Sequence, residues 1–444
     1  MTNLNSNSRL RLFCETDRER RQLSTAPTHV PFLSTPLALM NTQLPNSRRL
    51  RSQSNLPPSV TLPDEVMAEI LSRLPVRSLM QIKCVCKSWN TIISDPKFIK
   101  MHLNRSARNP HFSLVSYASP SFDDGEHRFV PFPAGSLLDN RHITFPKDPY
   151  YLLHDKDCRE VIGSCNGLVC LLGYSYVALD TYSMWLRFWN PATRKISDRL
   201  GSFDDFNYGS NSRRFVFCYD NSSDTYKVVA LHYNRNVSNP MVEVSIFTLG
   251  DNVWRTIQTL SLVPLQLLYS YWRMYDGVQF NCTVNWLACN QIPSKVDEFV
   301  IISLHLGTDT YTKLMLPPGD EKSTHLSSVC VLMNSFCFSQ DFNGTDFVIW
   351  KMTEFGDDRS WTQFFTFSYH NLRMNLNSRV VYSWLTLKPL HLSEDGDTMV
   401  FASYLHNQAI LYNLRTNRVL KSRVNKKICW FSIKDYVESL VSTG

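Results

Sequence analysis

Several features that would announce a function are missing from this sequence. No apolar run approaches the roughly 18 residues that a membrane span needs, and the N-terminus has no apolar signal core. The chain is therefore expected in the cytoplasm or nucleus, with no membrane partner. Asn-x-Ser/Thr sites such as Asn221 and Asn281 then carry no glycans. There is no Cys-x-x-Cys pair among the twelve cysteines. They are scattered singly, several inside apolar runs (Cys170, Cys218, Cys330, Cys337), as small buried hydrophobes rather than disulfides or zinc ligands. His-Glu-x-x-His, Gly-x-x-x-x-Gly-Lys and glycine-rich nucleotide loops are also absent. No metal or cofactor is expected. The net charge is only +7, part of it in the N-terminal tail, so no nucleic-acid face is implied.

What is present starts with a tail. Residues 1–58 are rich in Ser, Asn, Thr, Leu and Arg, lack lysine, and are interrupted by Pro27, Pro31, Pro36 and Pro45. This composition reads as a disordered, solvated segment. Its Arg and Ser content hints at a transit peptide, against which Glu15, Asp17 and Glu19 count. Arg48 to Arg51 hints at a nuclear signal.

A helical module follows, over residues 59–106. Its apolar positions are Leu62, Val66, Ile70 and Leu74, then Leu79, Ile82, Val85, Trp89 and Ile93. Steps of three and four place each group on one helix face. Pro63 fits a first helical turn, with Asp64 and Glu65 at the positive end of the dipole. Pro75 ends that helix. Ser78 is expected to cap the second helix, and Asp95-Pro96 to start a third. Three such helices enclose little core, since units below about 40 residues usually need a staple or a partner.

Leu62-Pro63, Glu65, Ile70-Leu71, Leu74-Pro75, Leu79 and Val85-Cys86-Lys87-Ser88-Trp89 together resemble the F-box. The resemblance implies docking on the Skp-type adaptor of a cullin-RING (SCF-type) ubiquitin ligase. It implies that Leu62, Pro63, Ile70, Leu74, Pro75 and Leu79 face the adaptor. Trp89 is expected to be internal core.

Residues 107–444 read as strands. Irregular strands are expected over 109–157. From Val161 two types of hairpin alternate. One type turns near Asn190, Leu249, Leu306, Phe355 and Leu414, positions 49 to 59 residues apart. The other spans Val161 to Leu172, Phe215 to Leu231, Gly277 to Ala288, Ser328 to Phe338 and Leu387 to Ala402. Two hairpins per repeat make a four-stranded unit every 50 residues or so, as in a propeller blade. Five units fit before residue 422. The strand Ile428 to Ile433 is expected to pair with strands from 110–157 and close a sixth, because an open ring would expose unpaired edges.

Ile162-Gly-Ser-Cys-Asn-Gly-Leu-Val-Cys170, Trp189-Asn-Pro-Ala-Thr-Arg194, Asp224-Thr-Tyr-Lys-Val228 and Tyr436-Val-Glu-Ser-Leu-Val-Ser442 resemble the F-box-associated, kelch-like domain of plant F-box proteins. Kelch blades carry a Gly-Gly pair, and this chain has none. The fold class expected is thus a small all-α F-box module followed by an all-β, degenerate six-bladed β-propeller. The function implied is that of a non-catalytic receptor that holds the ligase by its helices and an unidentified protein target by its β domain. A stand-alone propeller scaffold, or a hydrolase, is the alternative.

For the hydrolase, Gly163-Ser-Cys-Asn-Gly167 fits Gly-x-nucleophile-x-Gly. A nucleophile elbow must be followed by a helix. Here Leu168-Val-Cys-Leu-Leu172 follows with a strand pattern, and Asn166-Gly167 is better read as a hairpin turn. For the target, Leu268 to Tyr275 joins two repeats and concentrates hot-spot residue types. Tyr271, Trp272 and Arg273 are the expected target contacts.

Overall fold

Left-handed backbone marks where this chain reverses. Asn166 (φ 49°) and Gly167 (φ 83°) form a tight two-residue turn. Asp224, Asn281, Asp309 and Asn417 occupy the same region at the ends of four further hairpins. Asn, Asp and Gly tolerate it best, so each turn was written in the sequence. The computed structural model describes residues 62–106, 111–116, 126–133, 152–154, 157–158, 160–178, 181–206, 211–234, 241–268, 277–290, 299–318, 327–342, 345–372, 387–403, 408–421 and 434–444. The expected tail over 1–58 lies outside them.

Four helices come first: α1 Asp64–Leu71, α2 Val76–Ile82, α3 Lys87–Ser94 and α4 Pro96–Ser106. The sequence suggested three. The apolar spacing from Leu79 to Ile93 does not make one helix, because Cys86 is extended and its Sγ accepts the Trp89 N–H at 3.4 Å, starting a new helix. Ser78 lies within α2, which follows directly on Pro75, and caps nothing. Asp95 does initiate α4, its Oδ1 accepting the Lys97 N–H at 2.7 Å.

Six antiparallel sheets follow among the described residues. Blade 2 holds Glu160–Cys165, Leu168–Ala178, Thr181–Asn190 and an outer edge shared by Lys195–Ile196 and Leu200–Phe206. Blade 3 holds Asn211–Asp220, Thr225–Asn234, Val242–Thr248 and Trp254–Leu260. In blade 4 the innermost strand is split. Leu262–Pro264 and Val278–Phe280 both pair with Thr283–Asn290, followed outward by Phe299–His305 and Tyr311–Met315. Blade 5 runs from Ser328–Leu332 to Trp361–Ser368, and blade 6 from Leu387–Leu392 to Arg418–Lys421.

Blade 1 is made from both ends of the β region. His111–Ser116, Glu126–Pro133 and Leu152–His154 are joined by Lys434–Tyr436, with His111 opposite Tyr436. The ring is therefore closed by the last strand of the chain, as expected. The strand that does it is 434–436; residues 428–433 lie outside the described residues. A cavity of about 230 Å³ sits at the centre. Ile162, Phe217, Val278, Cys330, Pro389 and Asp435, one from each blade, line it. The sheets are thus arranged radially, inner strands to the axis.

The core lies between blades. Leu168, Leu186 and Phe188 of blade 2 pack on Phe217, Val228 and Phe247 of blade 3, and later blades repeat the pattern. At two seams a tryptophan at the start of an outer strand latches onto its neighbour. Trp254 Nε1 donates to Gly201 O at 2.6 Å, and Trp361 Nε1 to Met315 O at 3.0 Å.

Candidate docking surfaces

An amphipathic helix normally hides one apolar stripe and wets the other face. α1 is apolar on two sides. Met67, Ala68 and Leu71 turn inward to the helical core. Val66 and Ile70 turn outward, in line with Leu62 just ahead of the helix. These three are 43%, 49% and 48% exposed, and Val85 in the turn after α2 is 66% exposed. Pro63 and Pro75 are exposed beside them. A cluster of apolar side chains left to solvent on one small module marks a contact surface.

The expected docking residues divide here. Leu62, Pro63, Ile70 and Pro75 are on this exposed side. Leu74 is half-buried against the helical core. Leu79 is fully buried, at 0% exposure, in one cluster with Val76, Ile93 and Phe98. Its assignment to the docking face is corrected: an enclosed side chain offers no surface to a partner. Val66 and Val85, which were not among the expected docking residues, share the exposed side. Residues 66, 67, 70 and 71 span about 140° of the helix, so the apolar pattern alone does not say which of them face the core. Trp89 is half-buried and packs on the same core, as expected.

Polar contacts tie the ends of the module together. Arg105 on α4 reaches α1, donating to Glu69 O at 3.0 Å, to the Glu69 carboxylate and to the Ser72 hydroxyl. Arg73 donates to Glu69 Oε1 at 2.9 Å. These bonds, Arg73 first and then Arg105, hold the Glu69 carboxyl below its ordinary range. His102 is buried, with Nε2 3.0 Å from Leu74 O and Nδ1 3.4 Å from Ser106 Oγ. Since a carbonyl only accepts, Nε2 carries a proton and donates it to Leu74 O. Burial pushes the His102 pKa down, partly offset by the bond to Leu74 O. The unfolded chain then binds the proton more readily than the folded one. The stabilisation is complete above the ordinary histidine range and is lost as pH falls through it. Protection factors of the α1–α4 amides, taken relative to the intrinsic exchange rate at each pH, should therefore fall on acidification from pH 7 to pH 5, and a His102→Gln variant should flatten that dependence. Equal pH dependence in both proteins would contradict this.

The hairpin turns between first and second strands, and between third and fourth, lie at one end of the blades by topology. The helical module meets that end. Ala192, in the blade 2 turn, belongs to the helical core cluster, and Lys100 Nζ is 2.5 Å from Asp224 Oδ2 in the blade 3 turn. At the opposite end, where second strands finish and third strands start, lie the exposed Tyr176 and Val177 of blade 2, Met241 of blade 3 and Phe342 of blade 5. Tyr271, Trp272 and Arg273 lie outside the described residues. Their neighbours in sequence are described: Leu265, Gln266 and Leu267 on one side are buried, and Val278–Phe280 resumes on the other. In sequence the segment therefore falls between the two pieces of the inner strand of blade 4, and not between two blades.

The candidate elbow is a hairpin. Glu160–Cys165 enters it, Asn166-Gly167 turn, and Leu168–Ala178 leaves as a strand. Burial pushes the Cys165 thiol up to about 12, so it stays protonated at neutral pH, where only the thiolate attacks. Gly163 faces the next blade, where a Cβ would come within 3.2 Å of Phe217 Cβ. Its glycine serves the seam between blades.

Residues 61–101 match the F-box domain, and residues 138–443 match the F-box associated beta propeller domain. The chain is 29% identical to the F-box/kelch-repeat protein At3g23880 of Arabidopsis thaliana over 323 residues, 68% of this chain and 78% of that protein. It is 24% identical to the F-box protein CPR1 of the same plant over 396 residues, 86% and 89% of the two chains. Among solved structures, the Dos1 propeller overlaps 68% of this chain and 66% of its own, with a TM-score of 0.33 and 10% identity. With an exposed apolar stripe on an F-box helix and a six-bladed ring closed by its last strand, the chain belongs to the F-box proteins that carry an F-box associated beta propeller domain.

Proposed function

We propose that the protein is the substrate-recognition subunit of an SCF-type cullin-RING ubiquitin ligase, acting in the cytoplasm or nucleus. The observation that carries this is the stripe of Leu62, Val66 and Ile70 with Val85, exposed on helices that match the F-box. A Skp-type adaptor covers that stripe and brings the cullin-RING machinery. The chain supplies no catalytic residue. It raises the concentration of a bound protein target beside enzymes that transfer ubiquitin.

The target binds at the blade end away from the helices. Two observations support this. The helices already occupy the tight-turn end through Ala192 and Asp224. Tyr176 and Val177 of blade 2, Met241 of blade 3 and Phe342 of blade 5 offer exposed apolar surface at the other end. Tyr271, Trp272 and Arg273, which fall in sequence between the two pieces of the inner strand of blade 4, are proposed to add an aromatic and cationic contact, the types that dominate hot spots. Replacing Trp272 and Arg273 by Ala should cost target capture at least tenfold and leave adaptor capture and melting temperature unchanged. Affinity capture with the proteasome inhibited, followed by mass spectrometry, reads both partners at once. Full retention of every captured protein by the double variant would remove this segment from the target site. Failure of the wild-type chain to capture the adaptor would overturn the receptor function itself.

A further inference from the structure

The helical core is finished by residues from the far end of the chain. The cluster of Leu71, Val76, Leu79, Ile93 and Phe98 includes Leu440, which is 7% exposed. A unit of this size is marginal by itself. Leu440 belongs to a terminal segment, residues 437–444, that lies between the helices and blades 2 and 3. Ser439 next to it is fully buried. Asn190, also fully buried, has its whole amide committed at this point. Nδ2 donates to Ser439 O at 3.0 Å and to Val441 O at 2.8 Å, while Oδ1 accepts from the N–H groups of Ala192 and Thr193 at 3.0 and 3.2 Å. One side chain thus pins the terminal segment to the same turn that touches the helices. At Gly167 (φ +83°) a Cβ would stand 2.2 Å from Ser439 Oγ, so the hairpin tip leaves just enough room for the segment to pass. Val441 packs into the core between blades 2 and 3.

This segment directly follows Lys434–Tyr436, the strand that closes the ring. Its course is therefore set by closure. We propose that residues 437–444 are a keystone. They complete the core of the docking helices and fix those helices on the closed propeller, so that the first domain of the chain reaches its docking geometry only when the last strand is in place. The purpose rests on the receptor function proposed above: transfer to a bound target needs a set distance between target and machinery, which a freely hinged helical module would not keep.

Hydrogen exchange on the full chain tests this directly. Three variants are compared with wild type: termination after Val437, Leu440→Asp and Asn190→Ala. Amides of α1–α4 should exchange at least tenfold faster in each, while those of Thr225–Asn234 in blade 3 keep their wild-type rates. Saturating adaptor should restore part of the lost protection. Helical protection equal to wild type in Leu440→Asp would overturn the proposal. Should the truncated chain unfold throughout, Leu440→Asp decides, because Leu440 lies in the helical cluster and not in a blade core. Exchange of the free protein does not depend on adaptor affinity, so failure here is distinguishable from failure of the receptor function.

Discussion

Changing Leu62 and Ile70 together to Asp should weaken binding to a Skp-type adaptor by about 100-fold or more, with little change in melting temperature. Both side chains are about half exposed in the free protein, so little folded contact is lost. In the complex both would be covered, and each carboxylate would have to be desolvated without a partner. A 100-fold loss corresponds to about 2.7 kcal/mol, modest for two central apolar anchors. Leu79→Ala makes the opposing case. That side chain is enclosed, so its truncation leaves a cavity and should cost about 2–5 kcal/mol of stability. It would impair adaptor binding only through unfolding. Calorimetric titration and thermal melts of the two proteins separate these outcomes. Undiminished binding by the Leu62→Asp, Ile70→Asp chain would refute the docking face.

The second large effect is expected at the seam between blades 3 and 4. Lys227 and Asp220 form an ion pair at 2.8 Å, with side chains 9% and 0% exposed. Lys227 Nζ also donates to Leu306 O of the next blade at 2.6 Å. Ser222 and Ser223 donate to the same carboxylate. Burial pushes the Asp220 carboxyl up, but the bonds from Lys227 and the two serines outweigh it and hold it well below the usual range. Removing one partner of a buried pair strands the other, at about 3–5 kcal/mol. Lys227→Ala should show that loss in denaturant unfolding. Replacing both, as Asp220→Asn with Lys227→Met, should cost much less. The depressed carboxyl also gives a sign. Its stabilisation is present above the ordinary carboxylate range and is lost as pH falls through the lowered value, and Lys227→Ala should lose most of that acid dependence. Equal stability of Lys227→Ala and wild type at pH 7 would contradict this.

The same seam shows what the sequence made legible. Asp224-Thr-Tyr-Lys-Val228 was visible as a family pattern without a reason. The structure supplies one for several of its residues. Asp224 takes the left-handed turn (φ 55°) and meets Lys100 of the helices. Tyr226 stacks on Phe217 at 5.7 Å, Lys227 crosses to Leu306, and Val228 is core. The hairpins, their Asn and Asp turns, the four-stranded unit and closure by the C-terminal strand were all readable, because alternation and turn chemistry are local.

What escaped was non-local. Leu79 and Ile70 carry the same helical signal, and only packing against Ile93 and Phe98 separates core from surface. The split inner strand of blade 4 needs the pairing of residues 262–264 and 278–280 with one common strand. The terminal segment after Tyr436 looked like a family ending. Its use as core for helices more than 300 residues earlier rests on contacts that no period in the sequence encodes.

The most direct test of the receptor function mixes the purified full-length chain with a purified Skp-type adaptor and reads the species by native mass spectrometry. A 1:1 complex with a Kd of about 1 μM or tighter is expected, joined by a cullin as a third component when one is added. A chain that stays free of adaptor at concentrations well above that value, while remaining folded, would contradict it.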